Sequence, residues 1–303
     1  MSVTLTEIEK EILSRGISVG NEVLYTLCRD YPLLKEKNPK DMNERRRLQG
    51  LAAELWLIGR SYAASPERRN YGVKIEWTNS GNGLDTYFDL LAKKLWSDGY
   101  YDELEKIVEN LEEMNRIGYK FDQSFQENDK NILASVIANV LKFNALLKEI
   151  RYAVDEKELL NHVGGDEKKL EVLKNNQKNM MSFSSKFLHF HFPDVVFIID
   201  TITKGHFKGY GNPYEFKFQN DTSNIRFLKK QVNEMLGELE LNNIIGDTKL
   251  TDAEEDYKTH CVREYLLAKK IVTESNFEFN EKLYIPRQLD TYMLIANSHL
   301  KKK

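Results

Sequence analysis

Apolar residues recur at helical spacing along almost the whole chain. Ile8, Ile12 and Leu13 share one face behind a capping-box pattern, Thr6-x-x-Glu9. A helix is expected from about residue 44 to residue 64. Leu84, Tyr87, Phe88, Leu91 and Leu95 mark the next, and Leu104, Ile107, Val108, Leu111 and Met114 another. Ile132, Val136, Ile137, Val140 and Phe143 predict a helix running to about residue 149. Others are expected near 156–162, 167–179, 223–239, 252–275 and 287–298, the second last opened by a further capping box, Thr251-x-x-Glu254. Only Val73 to Trp77 alternates like a short strand. The chain therefore reads as one all-α unit over residues 1–303, with approximate lobes 1–125 and 126–303 flanking a cleft.

Composition narrows the classes. The chain is 41% hydrophobic and 30% charged, the balance of a globular protein with a sizeable core. No apolar run approaches the roughly 18 residues that span a bilayer, and the first residues lack the basic and apolar regions of a signal peptide. Cys28 and Cys261 sit in apolar helical surroundings and read as buried free thiols. These features point to the reducing cytoplasm and away from a membrane. A net charge of −3 argues against general coating of nucleic acid but leaves room for one basic cleft.

Two regions carry candidate chemistry. In the 44–64 helix, Leu48, Leu51, Leu55, Ile58 and Tyr62 share one face, while Trp56, Ala53, Leu57 and Ala64 cover much of the other. The helix is expected to be buried all round. Arg60 then falls among Trp56, Ala53 and Ala64, where a charge must be paired or line a solvent-filled site. Arg60, Tyr62 and Arg68 are candidate substrate contacts, arginine being suited to phosphate. The competing role for Arg60 is an ion pair between two helices.

The second region runs from Ser182 to Asp200. The 167–179 helix feeds a polar turn, Ser182 to Ser185; the next helix holds Lys186 and ends at Pro193-Asp194. An apolar run, Val195 to Ile199, delivers Asp200 at the start of another helix. His189, His191, Lys204 and His206 crowd the same region. The His189-x-His191 spacing is poor for a helical metal pair, so no metal or cofactor is expected; one histidine should face the site and the other pack. Gly164-Gly165-Asp166 reads as a helix terminus followed by a new cap, and Arg287 and Asp290 as a cap or a pair.

This segment resembles the helix-hairpin-helix DNA base glycosylases, whose hairpin of hydrophobic residues, glycines and a lysine precedes an apolar stretch ending in an essential aspartate. Ser182, Phe183, Ser184, Ser185 and Lys186 stand at the hairpin and lysine positions, and Asp200 at the aspartate position. Serines replace the two hairpin glycines. The segment also resembles a Ser-Lys-x-Leu-His-Phe signature of bacterial proteins associated with phage defence. The resemblance implies a helix-hairpin-helix fold and removal of a modified or damaged base, hypermodified cytosine of phage DNA being the leading candidate. Asp200 would stabilise the oxocarbenium character of the sugar and orient water. Lys186 would attack the same carbon, with lyase activity as a consequence, or grip a phosphate. Ser182, Ser184, Ser185, His189 and Lys204 would contact DNA, and backbone amides at the helix start would hold a phosphate. The alternative is a non-catalytic helical module binding DNA or protein in phage defence, with Lys186 and Asp200 a structural ion pair. A helical nuclease fits less well, because the carboxylate cluster of two-metal hydrolysis is missing.

Overall fold

The computed structural model describes residues 19–33, 42–61, 87–97, 99–121, 127–177, 179–199, 222–239, 241–246, 249–274 and 284–291. Every regular element among them is an α-helix. In chain order they are α1 (Val19–Asp30), α2 (Met42–Ser61), α3 (Tyr87–Leu95), α4 (Tyr100–Ile117), α5 (Glu127–His162), α6 (Glu167–Asn175), α7 (Met181–His191), α8 (Thr222–Glu238), α9 (Asn242–Ile245) and α10 (Asp252–Glu274). Residues 285–291 are also helical. The expected strand at 73–77, the capping box at Thr6, and Tyr62, Arg68, Asp200, Lys204 and His206 lie outside the described residues.

Local chemistry explains the ends. At α10, Glu254 Oε2 accepts from both the Thr251 amide and the Thr251 hydroxyl at 2.8 Å, so the second capping box forms. Asp166 caps α6 by accepting from the Lys168 and Lys169 amides at 3.1 and 3.2 Å. Before it, Gly164 and Gly165 turn the chain with φ of +65° and +79°, a left-handed region that penalises other residues. The two helices expected at 132–149 and 156–162 are one helix, α5, because no glycine or proline interrupts its 36 residues. One window of α5 reaches a mean hydropathy of 1.2, long and apolar enough to cross a membrane, against the expectation that no such run exists. Its window is 72% buried against the protein's own helices, which a core helix also requires.

The chain forms two compact units, each assembled from separated stretches. The first comprises Met1–Val19, Asn110–Val140 and Phe192–Lys303; the second comprises Gly20–Glu109 and Leu141–His191. The boundaries fall inside α4 and α5, so both sequence lobes contribute to both units. In the second unit the core gathers around Phe187, stacked on Phe143 at 5.5 Å and near-parallel to Phe183 at 5.7 Å. In the first, Tyr119 stacks on Phe197 at 5.6 Å and meets Tyr265 edge-on at 5.4 Å. Cys28 and Cys261 are buried free thiols, as expected.

α2 departs from its expected all-round burial. Leu51, Leu55 and Ile58 are buried to within 1%, but Trp56 is 47% exposed and Arg60 is exposed. One stripe of α2 packs on α3 and α7, and the Trp56–Arg60 side stays open to solvent. Gly50 on this helix is a close-approach position: a Cβ there would lie 2.4 Å from the Tyr31 ring. Gly237 in α8 has nothing within 4 Å of the same added atom. Alanine in a helix interior ordinarily stabilises over glycine by about 0.5–1 kcal/mol. Gly237→Ala is expected to raise stability by about that amount, and Gly50→Ala to lower it. Chemical denaturation of the two variants checks both signs.

Candidate functional site

The segment singled out by sequence folds differently at its start. Ser182 to Ser185 lie in the first turn of α7, so the connection from α6 precedes Met181. The reason is capping. Asn179 Oδ1 accepts from the Met181 amide at 2.8 Å, Asn144 Oδ1 holds the Met180 amide at 3.0 Å, and the Met180 carbonyl already accepts from Ser184 N at 2.8 Å. The helix therefore starts at Met181, one residue before the expected turn begins.

Burial then sorts the candidate contacts. Ser184 and Ser185 are 0% exposed, where small side chains suit the packing of α7 on α2. His189 is 0% exposed and its Nε2 is 2.6 Å from the Tyr25 hydroxyl. All three expected contacts are therefore buried side chains in this structure. Ser182 is half-buried, and its Oγ accepts from Lys186 Nζ at 3.2 Å. Lys186 itself is 2% exposed, with the aromatic residues Phe183 and Phe187 beside it in α7. Arg60 stands on the open side of α2, where a phosphate can reach it.

The apolar run that follows α7 is a built mount. Val195 to Ile199 are at most 1% exposed, and 196–199 have no helical structure. Backbone without regular structure inside a helical core must find side-chain partners. The Tyr119 hydroxyl donates to the Val195 carbonyl at 3.1 Å, and the Tyr257 hydroxyl to Phe197 O at 3.4 Å. His260 Nε2 donates to Ile198 O at 2.7 Å and pairs with Glu264 at 3.1 Å. The next residue in the chain is Asp200.

Two further features were not visible in the sequence. A pocket of about 470 Å³ opens between α2 and α3, lined by Gln49, Ala52, Ala53, Trp56, Tyr87, Phe88 and Asp89. It offers flat aromatic faces with a carboxylate and an amide at its edge. Separately, Cys28 of α1, Glu54 of α2 and His191 of α7 bring one ligand atom each within 4.8 Å of the others. Burial pushes Glu54 above the usual carboxylate range, with the His191 ring beside it working the other way. Burial, reinforced by Glu54, raises the Cys28 thiol. At the chain's far end, Arg287 pairs with Asp290, as the spacing suggested.

No protein family matches this chain, nor does any curated protein or solved structure.

The His260 contact generates a pH prediction. Burial favours the neutral ring, but Glu264, the Ile198 carbonyl and Asp290 favour the imidazolium, and the net shift is upward. The folded pKa thus lies above the unfolded value of about 6.5. A raised basic group stabilises fully below about pH 6.5, and that contribution is lost as pH rises through the folded value. Unfolding free energy is expected to fall between about pH 6 and pH 9, and to fall less in His260→Gln. Urea titrations at the two pH values check this; equal falls in both proteins would contradict it.

Proposed function

We propose that the chain is a DNA N-glycosylase that hydrolyses the bond between sugar and a modified or damaged base, leaving an abasic site. It would act in the cytoplasm, with hypermodified cytosine of phage DNA as the substrate to try first. The observation that supports this most is the mount of Val195 to Ile199, held at three carbonyls by Tyr119, Tyr257 and His260. In the sequence the residue that follows this run is Asp200. A carboxylate beside an anomeric carbon stabilises the positive charge that develops on the sugar. Asp200 has this role in the proposal. The role of Lys186 is separate from that of Asp200: a lysine amine, once deprotonated, attacks an anomeric carbon, and the resulting Schiff base would permit strand cleavage.

Asp200→Asn is expected to lower base release by roughly a hundredfold or more while the melting temperature stays close to that of the parent. Release of the base from ordinary and phage-modified DNA, followed as abasic sites, measures it. Undiminished release in a folded variant rules out the role of Asp200. Borohydride treatment is expected to trap DNA on the parent chain and not on Lys186→Gln; absence of trapping in both leaves a hydrolytic enzyme without lyase activity.

The pocket between α2 and α3 favours a second function, non-catalytic binding of unpaired DNA. Trp56 presents a half-open ring, and Arg60, one turn further on α2, is exposed. Stacking of a base on such a ring contributes about 1–3 kcal/mol. Trp56→Ala is expected to weaken binding of a single-stranded oligonucleotide by about that amount, with Asp200→Asn unaffected. Fluorescence anisotropy at two salt concentrations separates stacking from phosphate attraction, and unchanged affinity in Trp56→Ala excludes the pocket as a base platform.

A further inference from the structure

Cys28, Glu54 and His191 meet inside the second unit although 163 positions separate the first from the last (191 − 28). Their side chains are buried: Cys28 is 3% exposed, Glu54 0% and the His191 side chain 3%. His191 Nε2 lies 3.2 Å from Glu54 Oε2. Among the described residues, Glu54 Oε1 accepts no hydrogen bond. A carboxylate taken fully out of water beside a single imidazole retains acceptor capacity that a cation satisfies.

The Glu54–His191 separation suits one edge of a small tetrahedral ion, and the three ligand atoms, within 4.8 Å of one another, would close to edges of about 3.3–3.6 Å on binding. Zinc bonds nitrogen and oxygen at about 2.0–2.1 Å, which sets two such ligands about 3.3 Å apart across a tetrahedral edge. The donor set is one sulfur, one imidazole nitrogen and one carboxylate oxygen. A thiolate excludes calcium and magnesium, which take oxygen ligands, and the mixed set is one that zinc accepts. We propose that Cys28, Glu54 and His191 bind a zinc ion that staples α1 to α2 and α7. Three protein ligands leave one tetrahedral position, and the burial of all three limits its occupant to a water-sized molecule. The ion therefore has a structural role, with no path for a large substrate. On binding, the Cys28 thiol proton leaves to solvent and an Sγ–Zn bond forms; Glu54 binds as the carboxylate, and His191 binds through Nε2 as the neutral ring, releasing any proton held there.

The full-length chain decides this. Purified from zinc-supplemented medium, it is expected to carry about one zinc per chain by mass spectrometry. After chelator treatment, zinc chloride is expected to raise its melting temperature. Cobalt(II) in place of zinc is expected to give a thiolate-to-cobalt absorption band. That band should vanish in Cys28→Ser and persist in Cys261→Ser, the chain's other cysteine. Zinc affinity should fall at least roughly 10- to 100-fold in Cys28→Ser and His191→Gln, the loss that outer-shell changes alone bring. A folded parent chain with no zinc, no melting response and no thiolate band overturns the proposal and leaves a buried Glu–His pair. Zinc that stays bound with unchanged affinity in Cys28→Ser overturns this site. If a variant misfolds, the stoichiometry and cobalt spectrum of the parent still decide.

Discussion

Backbone without regular structure cannot lie in a helical core unless something satisfies its carbonyls, and in the first unit side chains do so. Val195 to Ile199 bring their carbonyls into a core in which every regular element among the described residues is helical. Tyr119, Tyr257 and His260 answer Val195, Phe197 and Ile198 in turn. Tyr257 and His260 are three apart on α10, and Glu264 follows four later, so one stripe of a single helix supplies most of the grip. That stripe explains why α10 buries polar residues among its apolar ones. The grip extends further: Tyr119 stacks on Phe197 and meets Tyr265, whose hydroxyl donates to Asp129 at 2.6 Å. Asp129 in turn accepts from the Lys120 amide at 3.0 Å, tying the chain just after α4 to the start of α5. Removing any of these donors leaves a buried acceptor unsatisfied, which costs about 1–3 kcal/mol.

The regular part of the fold was legible because helical periodicity is local. The apolar stripes of α4 and α10 predicted helices within a few residues of their observed ends, and Thr251-x-x-Glu254 and Asp166 capped where the pattern placed them. The misplaced turn has a specific cause. Three serines between Ser182 and Ser185 looked like a break, but serine is at home in a first helical turn, and the true stop signal was Asn179 acting as a cap. Arg60 was misjudged for a related reason. A wheel reports which residues share a face, not which face has a neighbour, and Trp56 is an aromatic residue left at the surface.

The contacts that give the candidate sites their chemistry were illegible because they are long-range. Nothing near Ile198 in sequence announces His260, and nothing near Cys28 announces Glu54 or His191. Glu54 carried the faintest signal: on the wheel it borders Ile58 on the buried stripe, and a carboxylate there demands a partner. The sequence could pose that demand but could not name the partner, since α7 reaches α2 only through the tertiary fold.

Each unit holds a buried histidine–glutamate pair, and the two are used differently. His260 lies 3.1 Å from Glu264 on its own helix, one turn away, while the same Nε2 grips a main-chain carbonyl. Its polar capacity is committed to holding backbone, and the carboxylate supports the charge that makes the grip strong. His191 and Glu54 come from different helices and share their space with a thiol. An intrahelical pair can be satisfied by helix formation alone, whereas a pair assembled across helices exists only when α1, α2 and α7 have docked. A cation bound there would be linked to that docking, because the unfolded chain cannot offer the three ligands together. The distinction between scaffold and ligand site thus rests on which helices supply the groups, since both pairs are equally buried and chemically alike.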